Sequence, residues 1–433
     1  MKKIVDVCTR IEGHGQVGIL LENQNEDISY ADFELDIYRG FENILIRKQL
    51  FDIPKISSRI CGLCHASQSI ASCKAIESLF GIEPPEQSIF LRRLMMTGEL
   101  IKSHSMHLFF QSFPDLLKIF KFKKEIPTFY ELLNYNAQLT SKFYELIKIG
   151  NEIDEIFGKR NVHSISSIPG GVIYSPSRKS ITIAQKYLQK AQENLEWIIE
   201  RTIKMFSELS PPKGFELPDP TFLGLQDDTI YDRYTGRLAV KQSDSNLINF
   251  SQQEYSEYFD REQDLRGITF FKNKNVLVGA LSRFHVTKKY DVDEVRNYLS
   301  NFGKEWNNNL LFNNFLQLIE AYVETCRSLE ILDDPVLDKR IKLQSATSIK
   351  NTEGIGLVEA PRGTLLHHYS LDKDDSIARV KLFVATEINL PIINTMMTNY
   401  ARKLYEKNDI NYVKREIQMV IRAFDPCVSC ATH

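Results

Sequence analysis

The sequence has no run of the roughly 18–20 apolar residues that a membrane-spanning helix needs. Nor has it a charge excess of either sign: 54 Lys and Arg face 56 Asp and Glu, a formal net charge of −2. The first absence argues against a chain embedded in a bilayer on its own account. The second argues against a nucleic-acid binder, which needs a basic face to neutralise phosphates. The opening MKKIVDVCTRIEGHG is basic at its first lysines but leads into no long apolar segment or cleavage site, so it reads as no secretory signal. The expected location is cytoplasmic, with membrane association only through partners. Repeats, low-complexity tracts and Ser/Gly linkers are missing too. The 433 residues, 43% of them hydrophobic, read as one integrated domain with ample material for a large core.

Cysteine is also scarce. The seven, Cys8, Cys61, Cys64, Cys73, Cys326, Cys427 and Cys430, are an odd number and few for a disulfide framework in so long a chain. Four thiolates can hold one cubane iron–sulfur cluster, whereas a relay of several clusters needs more. Any electron wire must then lie mostly in another protein.

What is present predicts an α+β chain that is mainly α: a central bundle of long helices with peripheral β segments. Within residues 1–30, IVDVCTRIEGHGQVGILLEN alternates loosely and is rich in Val and Ile, which predicts strands. From Glu86, EQSIFLRRLMMTGELIKSHSMHLFFQSF repeats apolar residues at three- and four-residue spacing and is expected to stop at Pro114. Interspersed charges make it a core helix rather than a membrane span. Further helices are expected over 130–158 and over Ser180–Glu208, whose stripe runs through Leu188, Ala191, Leu195, Ile198, Thr202 and Phe206. Residues 210–290, rich in Pro, Gly, Asp and Tyr with short runs such as ITFFKN and VLVGAL, read as a β-containing excursion. Helices return over about 290–330 and 389–424, the second starting after FVATEINLP. In such a bundle, side chains on facing helices can converge on a buried site.

RICGLCHASQS (59–69) and DPCVSCATH (425–433) each place two cysteines at i and i+3. Such a pair aims both sulfurs at one ion when the first lies on a turn and the second opens a helix, whose N-terminus also favours the thiolate. Two pairs make a four-thiolate site. Zinc ribbons usually space their pairs ~15–20 residues apart. Here the separation of Cys64 and Cys427 is 427 − 64 = 363 residues, so a shared ion joins the chain's two ends. Spacing alone leaves structural zinc, a catalytic nickel or iron site and coincidence all open.

The flanking residues add to this. RIEGHGQ (10–16), YRGFENIL (38–45), RICGLC (59–64), IPGG (168–171), GLVEAPRGTLLHHY (356–369) and DPCVSCATH (425–433) follow in this order. Together they resemble the large subunit of the nickel–iron hydrogenases, from residue 10 to the last. The related quinone-site subunits of respiratory complex I lack the four cysteines, all present here. The resemblance implies Cys61 and Cys427 as terminal nickel ligands, with Cys64 and Cys430 bridging nickel to an iron that carries one carbon monoxide and two cyanides. It places the Arg362 guanidinium over the open face of the metals, where a fixed cation with planar donors suits a cyanide nitrogen and developing charge. Asp115 and Asp425 match acidic positions near that arginine. Thr386, in FVATEIN, matches the position that hydrogen-bonds the second cyanide. Glu12, in RIEGH, matches a proton-relay carboxylate beside the sulfur of Cys427. Read on their own, Arg362 would be a surface ion pair, Thr386 a helix cap, Asp115 a helix-start residue and Glu12 a solvated strand side chain.

The resemblance also implies a second metal site. Glu42, in RGFE, the C-terminal His433 and a backbone carbonyl near Leu382 match the protein ligands of a Mg2+ (or Fe2+) site that pins the C-terminus, oxygen donors suiting so hard an ion. The implied activity is reversible heterolytic cleavage of H2 to protons and electrons, in the uptake direction. An obligatory small subunit would carry the iron–sulfur clusters, and the heterodimer is compatible with a higher oligomer. Maturation factors and a protease that trims a C-terminal extension are further implied partners.

One departure narrows the branch. Most hydrogenases have histidine four residues after Cys64; here it is Gln68, which can donate to a thiolate but cannot carry a proton. His65 is not its equivalent. CGLCHASQS resembles the branch of cytoplasmic uptake and hydrogen-sensing enzymes. A sensor, a cofactor-reducing hydrogenase component, or a degenerate or zinc-bound site are the alternatives. His285, His367 and His368 read as hydrogen-bonded structural residues. His104 and His107, at i and i+3, read as packing residues, and Cys8, Cys73 and Cys326 as small buried apolar residues.

Overall fold

A computed structural model describes residues 2–22, 27–242, 246–261, 269–271, 275–287 and 289–433. Strands β1 (Lys2–Val7), β2 (Gln16–Leu21) and β3 (Ile28–Glu34) form an antiparallel sheet with β2 in the middle. The alternation along β2 sends Val17, Ile19 and Leu21 into the core. A short helix α1 (Gly40–Leu45) follows. The chain then enters α2 (His65–Phe80), which is buried along nearly its whole length.

Two long helices, α3 (Glu86–Met106) and α4 (Ala137–Gly158), pack side by side through Gly98 and Gly150. A Cβ on Gly150 would lie 2.6 Å from the Gly98 carbonyl oxygen, so only glycine allows this approach. The expected stop at Pro114 does not occur. Instead, α3 runs on through a π-helical stretch, His107–Ser112, into a helix over Phe113–Ile119. Pro114 falls in the first turn of that last helix, where its missing N–H has no partner to lose. Helix α5 (Arg178–Phe206) packs on α4 and on the later α7 (Phe312–Asp333), completing the bundle.

Between them, β4 (Thr221–Asp227), β5 (Arg237–Lys241), β6 (Ile248–Phe250) and β7 (Val276–Leu277) form a sheet in the order β7-β4-β5-β6. This is the expected β excursion, except that VLVGAL turns at Gly279 into helix α6 (Ala280–Val286). Of ITFFKN, Thr269–Phe271 is strand and the flanking 268, 272 and 273 lie outside the described residues.

Three further strands, β8 (Glu353–Ala360), β9 (Gly363–Leu371) and β10 (Ile377–Phe383), form an antiparallel sheet laid on α2. Gly354 and Gly356 make that contact possible: Cβ atoms there would lie 2.2 Å from the Ala75 oxygen and 1.9 Å from the Ala71 oxygen. Helix α8 (Ala385–Tyr405) starts at Ala385, not after Pro391, and carries that proline inside it. Its buried face, from Ala385 to Met397, outweighs the local cost of the proline. The chain closes with α9 (Ile410–Ala423) and α10 (Val428–Thr432). Among the described residues no helix is long and apolar enough to cross a membrane. The architecture is mainly α with small sheets, as the sequence predicts.

Candidate metal centre

The two CxxC pairs meet at the contact between α2, the β8–β9 hairpin and the C-terminus. Cys61 lies in the loop before α2 and Cys64 is the residue that opens it. Cys427 opens α10 and Cys430 lies within that helix. A backbone bridge between Glu12 and Cys427, with Val428 N–H donating to the Glu12 carbonyl at 3.1 Å, anchors the C-terminal pair to the N-terminal segment. All four cysteines are buried, and their sulfurs lie within 4.8 Å of one another, with Cys61 and Cys427 at 3.3 Å. Hydrogen bonding from Cys427 holds the Cys61 thiol well below its ordinary range, while burial holds the Cys427 thiol well above it. Four soft donors converging on one point in an apolar cluster suit a soft transition metal.

Arg362 sits at the tip of the β8–β9 hairpin, where Ala360 pairs with Gly363 across a two-residue turn. Its Nε donates to Asp425 Oδ1 at 3.0 Å and its Nη1 to the Cys64 sulfur at 3.3 Å. Asp425, with a positive φ of 53°, turns the chain out of α9 toward Cys427 and also accepts from Gln317 Nε2 at 2.9 Å. Arg362 Nη2 is buried and has no hydrogen-bond partner among the described residues. A buried guanidinium with one orphaned planar donor beside four thiols fits an anionic acceptor held on a metal in that cluster. The donor set therefore fits the nickel–iron group. The hairpin is held from behind: Arg283, fully buried, pairs with Glu320 and Glu359 at 2.6 Å and donates to the Pro361 carbonyl at 3.2 Å.

The other expected residues fall as follows. Thr386 Oγ1 accepts from Cys427 N–H at 2.7 Å and is not a cap, since Val384 precedes the helix. Glu12 is half-buried and accepts from Ser429 N–H at 3.1 Å and Ser429 Oγ–H at 2.5 Å, which holds its carboxylate beside the C-terminal cysteines. Gln68 Nε2 faces the Cys430 sulfur at 3.6 Å. Asp115 is a correction. Its carboxylate is bound by Arg422 Nε at 2.5 Å and by Arg10, rather than by Arg362. Arg10 and Arg422 converge there from the N-terminal segment and α9, and Asp425 alone of the two acids pairs with Arg362.

Glu42, Leu382 and His433 also come together. Glu42 Oε1 accepts from Leu382 N–H at 2.7 Å and lies 3.4 Å from His433 Nε2. The N–H and carbonyl of a strand residue share one edge, so the Leu382 carbonyl faces the same side. A main-chain bond from Arg39 N–H to the Thr432 carbonyl at 3.2 Å secures this end of the chain.

Residue-by-residue reading missed one group. Glu99, on α3 and fully buried, accepts from Ala66 N–H at 2.6 Å, Ser67 N–H at 3.2 Å and the Ser67 hydroxyl. It thereby satisfies the open N-terminus of α2 right behind Cys64. A lone acid inside the apolar run LMMTGELIK was the available signal. His285 and His368 are hydrogen-bonded as expected, whereas His104 and His107, expected only to pack, hydrogen-bond as well. His107 bridges Gln317 and the Arg422 carbonyl at 2.7 Å each, His104 faces Glu320 at 3.4 Å, and His368 meets Tyr255 at 2.8 Å. His285 bonds the Asn307 carbonyl at 2.8 Å and stacks on Phe222 at 3.8 Å.

A model of the nickel-dependent hydrogenases matches residues 39–142 and 268–433. One component of the F420-non-reducing hydrogenase vhc of Methanococcus voltae is 28% identical, the match covering 100% of this chain and 95% of that one. The NAD-reducing hydrogenase HoxS subunit beta of Cupriavidus necator is 29% identical, with 100% and 94% covered. The solved structure of an NAD+-reducing NiFe hydrogenase in the H2-reduced state shares the fold with a TM-score of 0.91 at 24% identity over 100% of both chains. That of the Ni-Fe-Se hydrogenase from D. vulgaris Hildenborough does so at 0.75 and 20%, again over 100% of both. With a family model spanning more than half of the residues and a four-cysteine cluster that fits its metals, the chain belongs to the nickel-dependent hydrogenases, oxidoreductases acting on H2.

Proposed function

We propose that this chain is the catalytic subunit of an uptake hydrogenase, splitting H2 heterolytically at a nickel–iron centre held by Cys61, Cys64, Cys427 and Cys430. The observation that carries the reading is the buried four-sulfur cluster beneath a guanidinium with one unpaired donor. Bound there, a nickel–iron group with one carbonyl and two cyanides supplies the Lewis acidity and redox capacity that H2 cleavage needs. The chain's own residues do the rest. Cys61 and Cys427 would hold the nickel, and Cys64 and Cys430 would serve both nickel and iron. Arg362, oriented by Asp425, would offer Nη2 to one cyanide nitrogen and a fixed positive charge beside the centre. Thr386 accepts from Cys427 N–H, which leaves its own hydroxyl proton for the other cyanide. Glu12, which Ser429 keeps in register beside Cys427, would take up the proton released at the centre. Burial keeps water away from the open coordination position.

The electrons leave to the iron–sulfur clusters of a small subunit. No second cluster of cysteines appears among the described residues to carry them within this chain. Exposed Tyr38, Ile44 and Phe51 lie next to the segment that ties down the C-terminus and suit an apolar partner face close to the metals. Glu42, His433 and the Leu382 carbonyl would hold a Mg2+ ion. A second reading, hydrogen sensing with protein signalling as the output, is favoured by Gln68, which cannot move a proton at the position most hydrogenases give to histidine.

The test is an infrared spectrum of the purified complex with nickel and iron analysis alongside. Sharp carbonyl and cyanide stretches with nickel equimolar to the chain are expected. Zinc in the cysteine cluster, without those bands, would end the proposal.

A further inference from the structure

Behind Gln68 lies a chain of hydrogen bonds that the proposed mechanism does not use. Gln68 Nε2 is 3.6 Å from the Cys430 sulfur, and its Oε1 is 2.8 Å from His367 Nε2. His367 Nδ1 is 2.7 Å from the Tyr369 hydroxyl, which is 3.0 Å from Ser72 Oγ. All five side chains are buried, with exposures of 0–5%. Gln68 and Ser72 are one turn apart on α2, while His367 and Tyr369 lie two residues apart on β9 and so share a face. The chain therefore spans the contact between the helix that carries Cys64 and the strand that follows Arg362.

Burial pushes the His367 imidazole down to about 3, so it is neutral, with one N–H donor and one acceptor. The Gln68 amide likewise has one donor end and one acceptor end. Two self-consistent polarities exist for such a chain. In one, Tyr369 donates to His367 Nδ1, His367 Nε2–H to Gln68 Oε1, and Gln68 Nε2–H to sulfur. In the other every bond is reversed, and Cys430 must supply an S–H to the amide oxygen. A metal-bridging thiolate has no proton, so only the first polarity gives the sulfur a donor.

We infer that His367 is a positioning residue for the metal centre: its Nε2–H fixes the Gln68 amide so that the Tyr369–His367–Gln68 chain delivers one hydrogen bond to the Cys430 sulfur. The inference rests on the proposed role of Cys430 as a bridging thiolate. A hydrogen bond to that sulfur withdraws electron density from the metals. Less density remains to flow into the carbonyl, whose stretch rises in frequency. Without the imidazole, the amide is free to turn over and present its oxygen to the sulfur.

Infrared spectra of the assembled complex test this, with nickel content measured for each variant. Gln68→Leu, which deletes the donor, should lower the carbonyl stretch. His367→Leu should lower it too, and the double variant should match Gln68→Leu alone, since both changes remove the same bond. A wild-type spectrum for His367→Leu, or additive shifts in the double variant, would overturn the inference. Should His367→Leu fail to take up nickel, Tyr369→Phe decides, because it deletes one oxygen from the chain and keeps the ring. A lowered carbonyl stretch supports the chain, and an unchanged one refutes it. Absence of carbonyl bands in the wild-type complex would be a failure of the proposed function instead.

Discussion

Arg362 and Asp425 allow stability and chemistry to be separated at one residue. In Arg362→Met, Asp425 loses its guanidinium partner and keeps Gln317 as a neutral donor. Breaking one side of a buried ion pair costs roughly 3–5 kcal/mol, because the surviving charge stays in a poorly solvating site. Unfolding entropy of about 2 cal/mol/K per residue over 433 residues amounts to about 0.9 kcal/mol/K, so the melting temperature should fall by roughly 3–6 °C. Adding Asp425→Asn removes the stranded charge, so the double variant should melt above Arg362→Met. Arg362→Lys keeps a charge for Asp425 and should melt within about 1 °C of wild type, a cost below ~1 kcal/mol. Its compact ammonium cannot serve Asp425, Cys64 and a cyanide together, so turnover should still fall ~10²–10³-fold. Calorimetry of the assembled complex and hydrogen-dependent dye reduction read the two effects. Arg362→Met melting with wild type would refute the charge argument, and full activity in Arg362→Lys would refute the need for a planar donor.

Glu12→Gln keeps the shape and the Ser429 contacts, so both metals should remain while kcat falls ~10²–10⁴-fold; full H2 oxidation by that variant rules out the relay. Cys430→Ala should block assembly of the metal centre, and a normal nickel content in that protein would sink its bridging role. Glu99→Leu strands the N–H groups of Ala66 and Ser67 at about 1–3 kcal/mol each. It should lower both the melting temperature and nickel occupancy, with Glu99→Gln restoring most of each; unchanged melting in Glu99→Leu would show that the helix end is satisfied otherwise. His285 is pushed by burial from 6.5 down to about 4. It is neutral in the fold while the unfolded chain takes up a proton, so its contribution is present above pH 6.5 and lost as pH falls toward 4. His285→Gln should flatten the decline of melting temperature over that window, and a curve parallel to wild type would exclude His285 as a cause.

What could be read from the sequence divides along a physical line. The pairing of the four cysteines was legible because it resides in residue identity at fixed local spacing, which survives folding, whereas Arg362 was legible only through the resemblance of its flanking motif. The long helices α4 and α5 were legible because each has a wet face to contrast with a dry one, whereas α3 and α7, buried along most of their length, were legible only from their length and apolar repeats. Helix α2 has no such contrast: His65, Ser67, Gln68, Ser69 and Ser72 are polar yet 0–1% exposed, so its pattern carries no period. The β8–β9 hairpin is buried on both faces for the same reason. Pro114 and Pro391 misled because local breaking signals are weak beside the burial of whole helix faces. Asp115 misled differently: its place in the chain matched, but Arg10 and Arg422 reach it first. Glu99 went unread and His367 was read only as a structural residue, because each acts on a residue about 30 or 300 positions away. His367 reaches Gln68 only where β9 joins the sheet pressed against α2, and that approach depends on Gly354 and Gly356 of β8 having no Cβ. In the sequence those two glycines are ordinary turn signals. In the fold they set how closely the Arg362 hairpin can approach the cysteines.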